Sequence, residues 1–189
     1  EAQQGNAPSD YQAPHLEKRG NVTQLIVKDK PWLALAGELG NSTSSSREYL
    51  APHWQKLKDA GLNTVLAVVS WEQTEPEEGK FDFSNWLDVV KFVKIAQEEG
   101  LMVMIRPGGY ICSEWELGGL PSWLLVKPGI YFRCMSEPFI KAQDAFYRKA
   151  CEILKPLQFT EGGPIIMFQV ENEYGSYGND KDYLVYLKN

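Results

Sequence analysis

The sequence is short of histidine and cysteine and has no phosphate-binding loop, and each shortage removes a class of chemistry. Only His15 and His53 are present, and no G-x-S-x-G occurs, so a Ser-His-Asp mechanism lacks its parts. Cys112, Cys134 and Cys151 are too few and too irregularly spaced for a disulfide scaffold. With no C-x-x-C and no histidine cluster, no metal site is expected. Neither G-x-G-x-x-G nor G-x-x-x-x-G-K-[ST] follows a strand-like run, so no nucleotide cofactor is expected either. No apolar run approaches the roughly 20 residues that a membrane-spanning helix needs, which argues against membrane insertion. A net charge of −6 argues against nucleic acid, because affinity for phosphate backbones rests on clustered Lys and Arg. What remains is a neutral or polar substrate and chemistry done by carboxylates.

What is present reads as a folded protein. Hydrophobic residues make up 43% and charged residues 23% of 189 positions, enough to bury one sizeable core. The opening "EAQQGNAPSDYQAPHLEKRG" has neither an initiator Met nor an apolar signal segment, and residues 1–22 are expected as a flexible lead-in. Residues 23–189 are expected as one unit. Asn21-Val22-Thr23 and Asn41-Ser42-Thr43 fit the glycosylation acceptor pattern.

From Thr23 onward short apolar runs alternate with amphipathic stretches. "TQLIVKDKPWLALAGEL" predicts a strand, a turn at Lys28 to Lys30, and a second strand from Trp32 to Gly37. A first helix follows, capped by Ser45 or Ser46, with Pro52 in its opening turn and Leu50, Trp54 and Leu57 on one face. "NTVLAVVSW" predicts a buried strand. Ser84 is expected to cap a helix whose stripe is Trp86, Val89, Val90, Val93 and Ala96. "LMVMIRP" is the next strand, and a third helix from Glu137 and Pro138 presents Phe139, Ala142, Phe146, Ala150, Ile153 and Leu157 at helical spacing. "PIIMFQV" is the fourth strand, and "DKDYLVYLKN" opens another helix.

Continuous apolar strands alternating with helices imply a parallel sheet covered on both faces, either a (β/α)8 barrel or a doubly wound sheet. The missing glycine fingerprint favours the α/β barrel, of which this chain holds about the first four βα units. Barrel active sites lie at the carboxyl ends of the strands. Those ends are Glu38, Ser70 to Glu75, Arg106 to Glu116 and Gln169 to Tyr174. The last three mix the rings of Trp71, Tyr110, Trp115 and Tyr174 with six glutamates, a combination suited to a sugar with apolar CH faces and polar hydroxyls. Glycoside hydrolysis needs two carboxyl groups and no cofactor. Glu72 and Glu75 are equally readable as part of a solvated loop. Arg106 divides evenly between an internal ion pair and a pocket contact, and Trp115 and Trp123 lean toward packing. Glu171 alternates with Asn172 and so is expected to serve a structural hydrogen bond facing the other way.

"GGPIIMFQVENEYGSYG" (162–178) and "IRPGGYICSEWELGGLPSWLL" (105–125) together resemble glycoside hydrolase family 35, the retaining β-galactosidases built on a TIM barrel. The first stretch meets every position of the family signature G-G-P, two aliphatics, Q-x-E-N-E-[FY]. The resemblance implies Glu173 as general acid/base and Asn172 as a ligand of the sugar 2-hydroxyl. It implies Glu114 as a grip on galactose hydroxyls, with Cys112 and Ser113 beside it in the pocket wall. The partner would be a β-galactoside or a galactosylated oligosaccharide or polysaccharide, and the compartment secreted, periplasmic or lysosomal.

Two features depart from the family pattern. Val68 stands where many members place a tyrosine that reaches the sugar. The segments before Arg106 resemble a bacterial branch linked to plant-polysaccharide side chains, whereas those from Arg106 onward resemble the lysosomal-type branch. The family's nucleophile is a glutamate on the seventh strand, so a missing half barrel is expected to supply it, from a C-terminal segment, a partner fragment or a second copy. The 189 residues alone are then expected to be inactive. Two other readings stand beside this one: a non-hydrolytic galactoside-binding or assembly fragment, and a same-family exo-glycosidase of different sugar specificity.

Overall fold

The apolar runs become two sheets of opposite character. A computed structural model describes residues 9–39, 47–84, 88–112 and 114–189. Strands β1 (His15–Arg19), β2 (Val22–Val27) and β3 (Lys30–Pro31) form an antiparallel sheet in that order. Lys28 and Asp29 both take left-handed backbone, as the tight turn between β2 and β3 requires. The strand β1 corrects the expected flexible lead-in, part of which pairs residue by residue with β2 from His15 opposite Ile26 to Arg19 opposite Val22. The polar composition of β1 hid it, because its burial alternates weakly and most of its side chains stay wet.

The second sheet is parallel, in the order β4 (Ala36–Glu38), β5 (Thr64–Val68), β6 (Met102–Arg106), β7 (Ile165–Phe168). Of the strand expected from Trp32 to Gly37 only Ala36 and Gly37 lie in a strand, β4, and residues 32–35 link β3 to β4. Between them the Trp32 N–H donates to the Leu25 carbonyl and the Leu35 N–H to Asn63 Oδ1, which carries the chain from one sheet to the other. A continuous apolar run gives no hint of that crossing.

Helices α1 (Arg47–Asp59), α3 (Val89–Glu98) and α4 (Glu137–Leu154) follow β4, β5 and β6, and the shorter α2 (Trp71–Thr74), α5 (Tyr174–Tyr177) and α6 (Lys181–Lys188) sit near the strand ends and the C-terminus. Pro52 lies inside α1 rather than in its opening turn. The cap of α3 is Asp88, whose carboxylate accepts from the Lys91 N–H, while Ser84 instead bonds Asp82. Ser45, Ser46 and Trp86 lie outside the described residues. No helix among the described residues is long and apolar enough to cross a membrane.

The expected helix stripes form most of the core. Trp54, Val93, Phe139, Phe146 and Ala150 pack on Val65, Val103 and Ile105 of the parallel sheet, joined by Phe92 and by Leu154, which is buried in place of the expected Ile153. Each buried large side chain contributes about 1.5–3 kcal/mol. A second cluster joins Val27 of the hairpin to Met102, Phe159 and Ile166, and Trp32 Nε1 donates to Thr64 Oγ1 over 3.3 Å. Because Thr64 and Met102 open their strands, the antiparallel sheet rests against the amino-terminal end. The carboxyl-terminal end is left for the polar loops. Four parallel strands with helical crossovers are the first half of a (β/α)8 barrel.

Candidate active site at the carboxyl ends of the strands

Arg106, at the end of β6, ties three strand ends together. Its Nη1 donates to Glu38 Oε1 at 3.2 Å and to the Ile111 carbonyl at 3.0 Å, and its Nε donates to Gln169 Oε1 at 3.2 Å. Arg106 is thus an internal fixture. Gln169 passes the order on, since its Nε2 donates to the Glu171 carbonyl at 2.9 Å and to Asn172 Oδ1 at 3.3 Å.

The stretch after β7 has no regular backbone, and Arg133 holds it in shape. The Arg133 Nε and Nη2 donate to the two Glu171 carboxylate oxygens, each at 2.8 Å, and Nη2 also donates to the Asn172 carbonyl at 2.6 Å. Both side chains are almost fully buried, 6% and 4% exposed. The guanidinium carbon lies 3.7 Å from the Tyr110 ring centre and 4.0 Å from that of Tyr177. Two rings so close cannot share one face, so the cation is sandwiched between them. Burial alone would pull the Arg133 guanidinium pKa down, but the Glu171 hydrogen bonds and charge more than offset it and the net shift is upward. Glu171 has the expected structural hydrogen-bonding role, but it does not face away from Asn172: β7 ends at Phe168, strand alternation stops there, and Arg133 bonds both residues.

Asn172 is buried at 6% exposure, while Glu173 is exposed and adopts left-handed backbone, φ 49° and ψ 33°. The neighbouring carboxylate, Glu171, is turned inward onto Arg133. A non-glycine residue in this region costs about 1–3 kcal/mol, which the bonds around it must offset. Those bonds include the Ser176 N–H to the Glu173 carbonyl at 3.0 Å and the Tyr174 hydroxyl to the Arg133 carbonyl at 2.8 Å.

The loop after β6 carries the other expected sugar contacts. Cys112 and Glu114 are both left-handed, Glu114 is exposed, and Ser113 lies outside the described residues. No hydrogen bond or ion pair among the described residues joins Glu114 to Asn172 or Glu173. The loop is closed by the Ile111 N–H donating to the Gly118 carbonyl at 2.8 Å. Gly118 has to be glycine here: with φ 62°, a Cβ on it would come within 2.1 Å of the Tyr110 ring. Burial, followed by a Cys112 hydrogen bond, pushes the Tyr110 hydroxyl pKa up.

The end of β5 is built differently. Glu75 is 2% exposed, and its carboxylate accepts from Trp71 Nε1 at 2.6 Å and from the Gly79 N–H at 2.7 Å. Burial pushes the Glu75 carboxyl up, and Glu72 moves the same way through burial and then the charge of Glu116. Trp71 stacks on Phe146 at 5.1 Å, and Trp123 meets Trp71 edge-on and donates to the Glu75 carbonyl. Trp71 is fully buried and offers no free face to a sugar, whereas Trp123 is half-buried with Lys127 Nζ 5.3 Å from its ring centre. Arg133 escapes a reading of the sequence, although a lone cation in the apolar stretch "GIYFRC" beside an inward glutamate with no assigned partner is a usable signal.

Comparison with known proteins bears on the family and the fold. Residues 24–189 match the model of glycosyl hydrolases family 35. The chain is 50% identical over 175 residues to human beta-galactosidase-1-like protein 3, covering 89% of this chain and 27% of that protein. It is 43% identical over 162 residues to the beta-galactosidase of Xanthomonas manihotis, covering 86% and 27% respectively. The solved exo-beta-1,4-mannosidase Op5Man5 from Opitutaceae bacterium strain TAV5 superposes with a TM-score of 0.58 at 20% identity, over 75% of this chain and 25% of that one. That likeness speaks for the fold alone. The chain spans about a quarter of the length of the curated relatives it matches. On the family match and these identities together, the chain belongs to glycosyl hydrolase family 35.

Proposed function

We propose that residues 23–189 form the N-terminal part of the catalytic barrel of a retaining, exo-acting β-galactosidase, and that Glu173 is its general acid/base. The observation that carries this reading is the pairing of an exposed Glu173 with a buried, fixed Asn172 at the carboxyl end of β7. Glu173 protonates the glycosidic oxygen as the aglycone leaves, then takes a proton from the water that releases the sugar. Asn172 holds the 2-hydroxyl, where bonds that strengthen in the transition state act on the rate. Glu114 and Cys112 line the galactose pocket.

Three of the other strand-end carboxylates are already engaged, which supports a nucleophile from elsewhere in the barrel. Glu38 is paired with Arg106, Glu75 is enclosed, and Glu171 is held by Arg133. A retaining pair needs its carboxyl groups about 5–5.5 Å apart, so the second glutamate comes from a later strand facing Glu173 across the barrel.

Hydrolysis of aryl β-galactosides tests the reading, with residues 1–189 alone compared with a polypeptide carrying all eight strands. The complete barrel should turn over, the four-strand chain should not, and Glu173→Gln should slow the complete barrel on substrates with poor leaving groups. Unchanged turnover in Glu173→Gln would remove the assignment. A panel of aryl glycosides distinguishes galactosides from another sugar of the same family.

A further inference from the structure

We propose that Arg133 is a positioning residue that sets the direction of the acid/base through the Asn172–Glu173 peptide; the inference rests on the assignment of Glu173 above. The Asn172 carbonyl belongs to the peptide bond whose nitrogen is that of Glu173. When Arg133 Nη2 holds this carbonyl at 2.6 Å, it fixes the peptide plane from which the Glu173 side chain starts. The same guanidinium grips both oxygens of Glu171, and Glu171 Oε2 in turn accepts from the Asn172 N–H. The peptide groups on both sides of Asn172 are therefore tied to one ion pair.

Three facts argue that this ion pair sets geometry and does more than add stability. A buried ion pair is a weak source of stability, since apolar residues of similar volume often serve as well. The clamp lies on a turn that contains a left-handed glutamate, and Arg133 is itself left-handed at φ 55°. A strained conformation persists only where its surroundings over-determine it. The sandwiching rings also come from both halves of the site: Tyr110 from the loop that carries Cys112 and Glu114, and Tyr177 from the turn after Glu173. One planar cation thus registers the sugar-gripping loop against the acid/base. Lysine has a point charge and cannot make the planar, bidentate, stacked contact.

The test uses the complete barrel and compares an alkyl β-galactoside, whose departure needs a proton, with 2,4-dinitrophenyl β-galactoside, whose departure does not. Arg133→Lys should lower kcat/KM about 100-fold on the alkyl substrate, the scale of a 1 Å misplacement, and less than about tenfold on the dinitrophenyl one. Tyr177→Leu removes one stacking face from an exposed position and should show the same bias at smaller size, which keeps the test open if Arg133→Lys does not fold. Equal losses on both substrates, or no loss, in folded protein would overturn the positioning role. Glu173→Gln separates the two ideas. A biased Glu173→Gln beside an unbiased Arg133→Lys defeats the clamp alone, whereas an unbiased Glu173→Gln defeats the acid assignment and the clamp with it.

Discussion

The ends of β5 and β7 both carry two glutamates among aromatic rings, yet they do opposite things with them. After β5 the chain enters a regular helical turn capped by Ser70, and Glu75 spends both carboxylate oxygens on N–H donors of its own loop, from Trp71 and Gly79. After β7 the buried glutamate is bonded to a cation from a distant segment, and the next carboxylate stands exposed on strained backbone. A buried carboxylate bonded to neutral donors makes a closed fixture. One bonded to Arg133 makes a fixture that also reaches the backbone of its neighbour. Carboxylate density alone therefore does not separate the two ends; under the proposed assignment the reactive acid is the exposed one, attached to a peptide that the interior holds.

The largest effect expected from that contrast is on activity. In the complete barrel, Glu173→Gln should cut turnover of a substrate with a poor leaving group by about 10²–10⁴-fold, the usual contribution of a general acid. The exposed side chain should leave unfolding free energy within about 0.5 kcal/mol of the parent. Glu75→Gln should do the reverse. Its new amide N–H faces the Gly79 N–H, a lost bond in the interior worth about 1–3 kcal/mol, while the folded fraction keeps its rate. Loss of rate without loss of stability in Glu75→Gln would erase the distinction between the two strand ends.

Next in size is the ion pair. Arg133→Met strands the Glu171 carboxylate in the interior and should cost about 3–5 kcal/mol in urea unfolding. Replacing both residues by methionine should recover most of that loss without recovering turnover. If the double variant unfolds as readily as the single one, the rings of Tyr110 and Tyr177 carry the stability and the ion pair does not. Below this stands Gly118→Ala, whose methyl group would press on the Tyr110 ring and tilt it off Arg133, at a cost of about 1–3 kcal/mol.

Much of this contrast was legible in the sequence, for reasons that differ between residues. The stripes of α3 and α4 and the runs of β5, β6 and β7 follow from periodicity and β-branched content, because burial on a regular element repeats. Glu173 and Asn172 follow from the family resemblance alone, and strand alternation suggests the structural role of Glu171 but not its direction, because β7 stops at Phe168. Three things did not show. The strand β1 is too wet to alternate, and the start of α3 is decided by whether Asp88 or Ser84 reaches a free N–H. Arg133 is a contact between segments 38 residues apart, and no local pattern encodes a partner at that distance. The same blindness makes Trp71 look like a sugar platform, when its ring is stacked on Phe146 from a later helix.

The smallest expected effects are those of pH on stability, and they should differ in sign between the two regions. Glu75 is raised above its ordinary value of 4.5 chiefly by burial, against the hydrogen bonds from Gly79 and Trp71. A raised carboxyl binds its proton more tightly in the folded state, so its contribution is fully present below about 4.5 and is lost as pH rises through the folded value. Asp180, which caps α6 beyond β7, is lowered from 3.8 by the N–H groups of Met135 and Tyr183. Its contribution is present above that ordinary value and is lost as pH falls through the depressed one. Unfolding curves collected from pH 2 to 7 should therefore lose their decline above 4.5 in Glu75→Gln. They should lose part of their acid limb in Asp180→Asn, where the asparagine oxygen keeps the cap on the Tyr183 N–H while the charge and the bond from the Met135 N–H are given up. A flat difference between parent and Glu75→Gln across that range would mean that its carboxyl ionises as freely inside the β5 turn as in water, and the closed fixture at that strand end would have to be open to solvent.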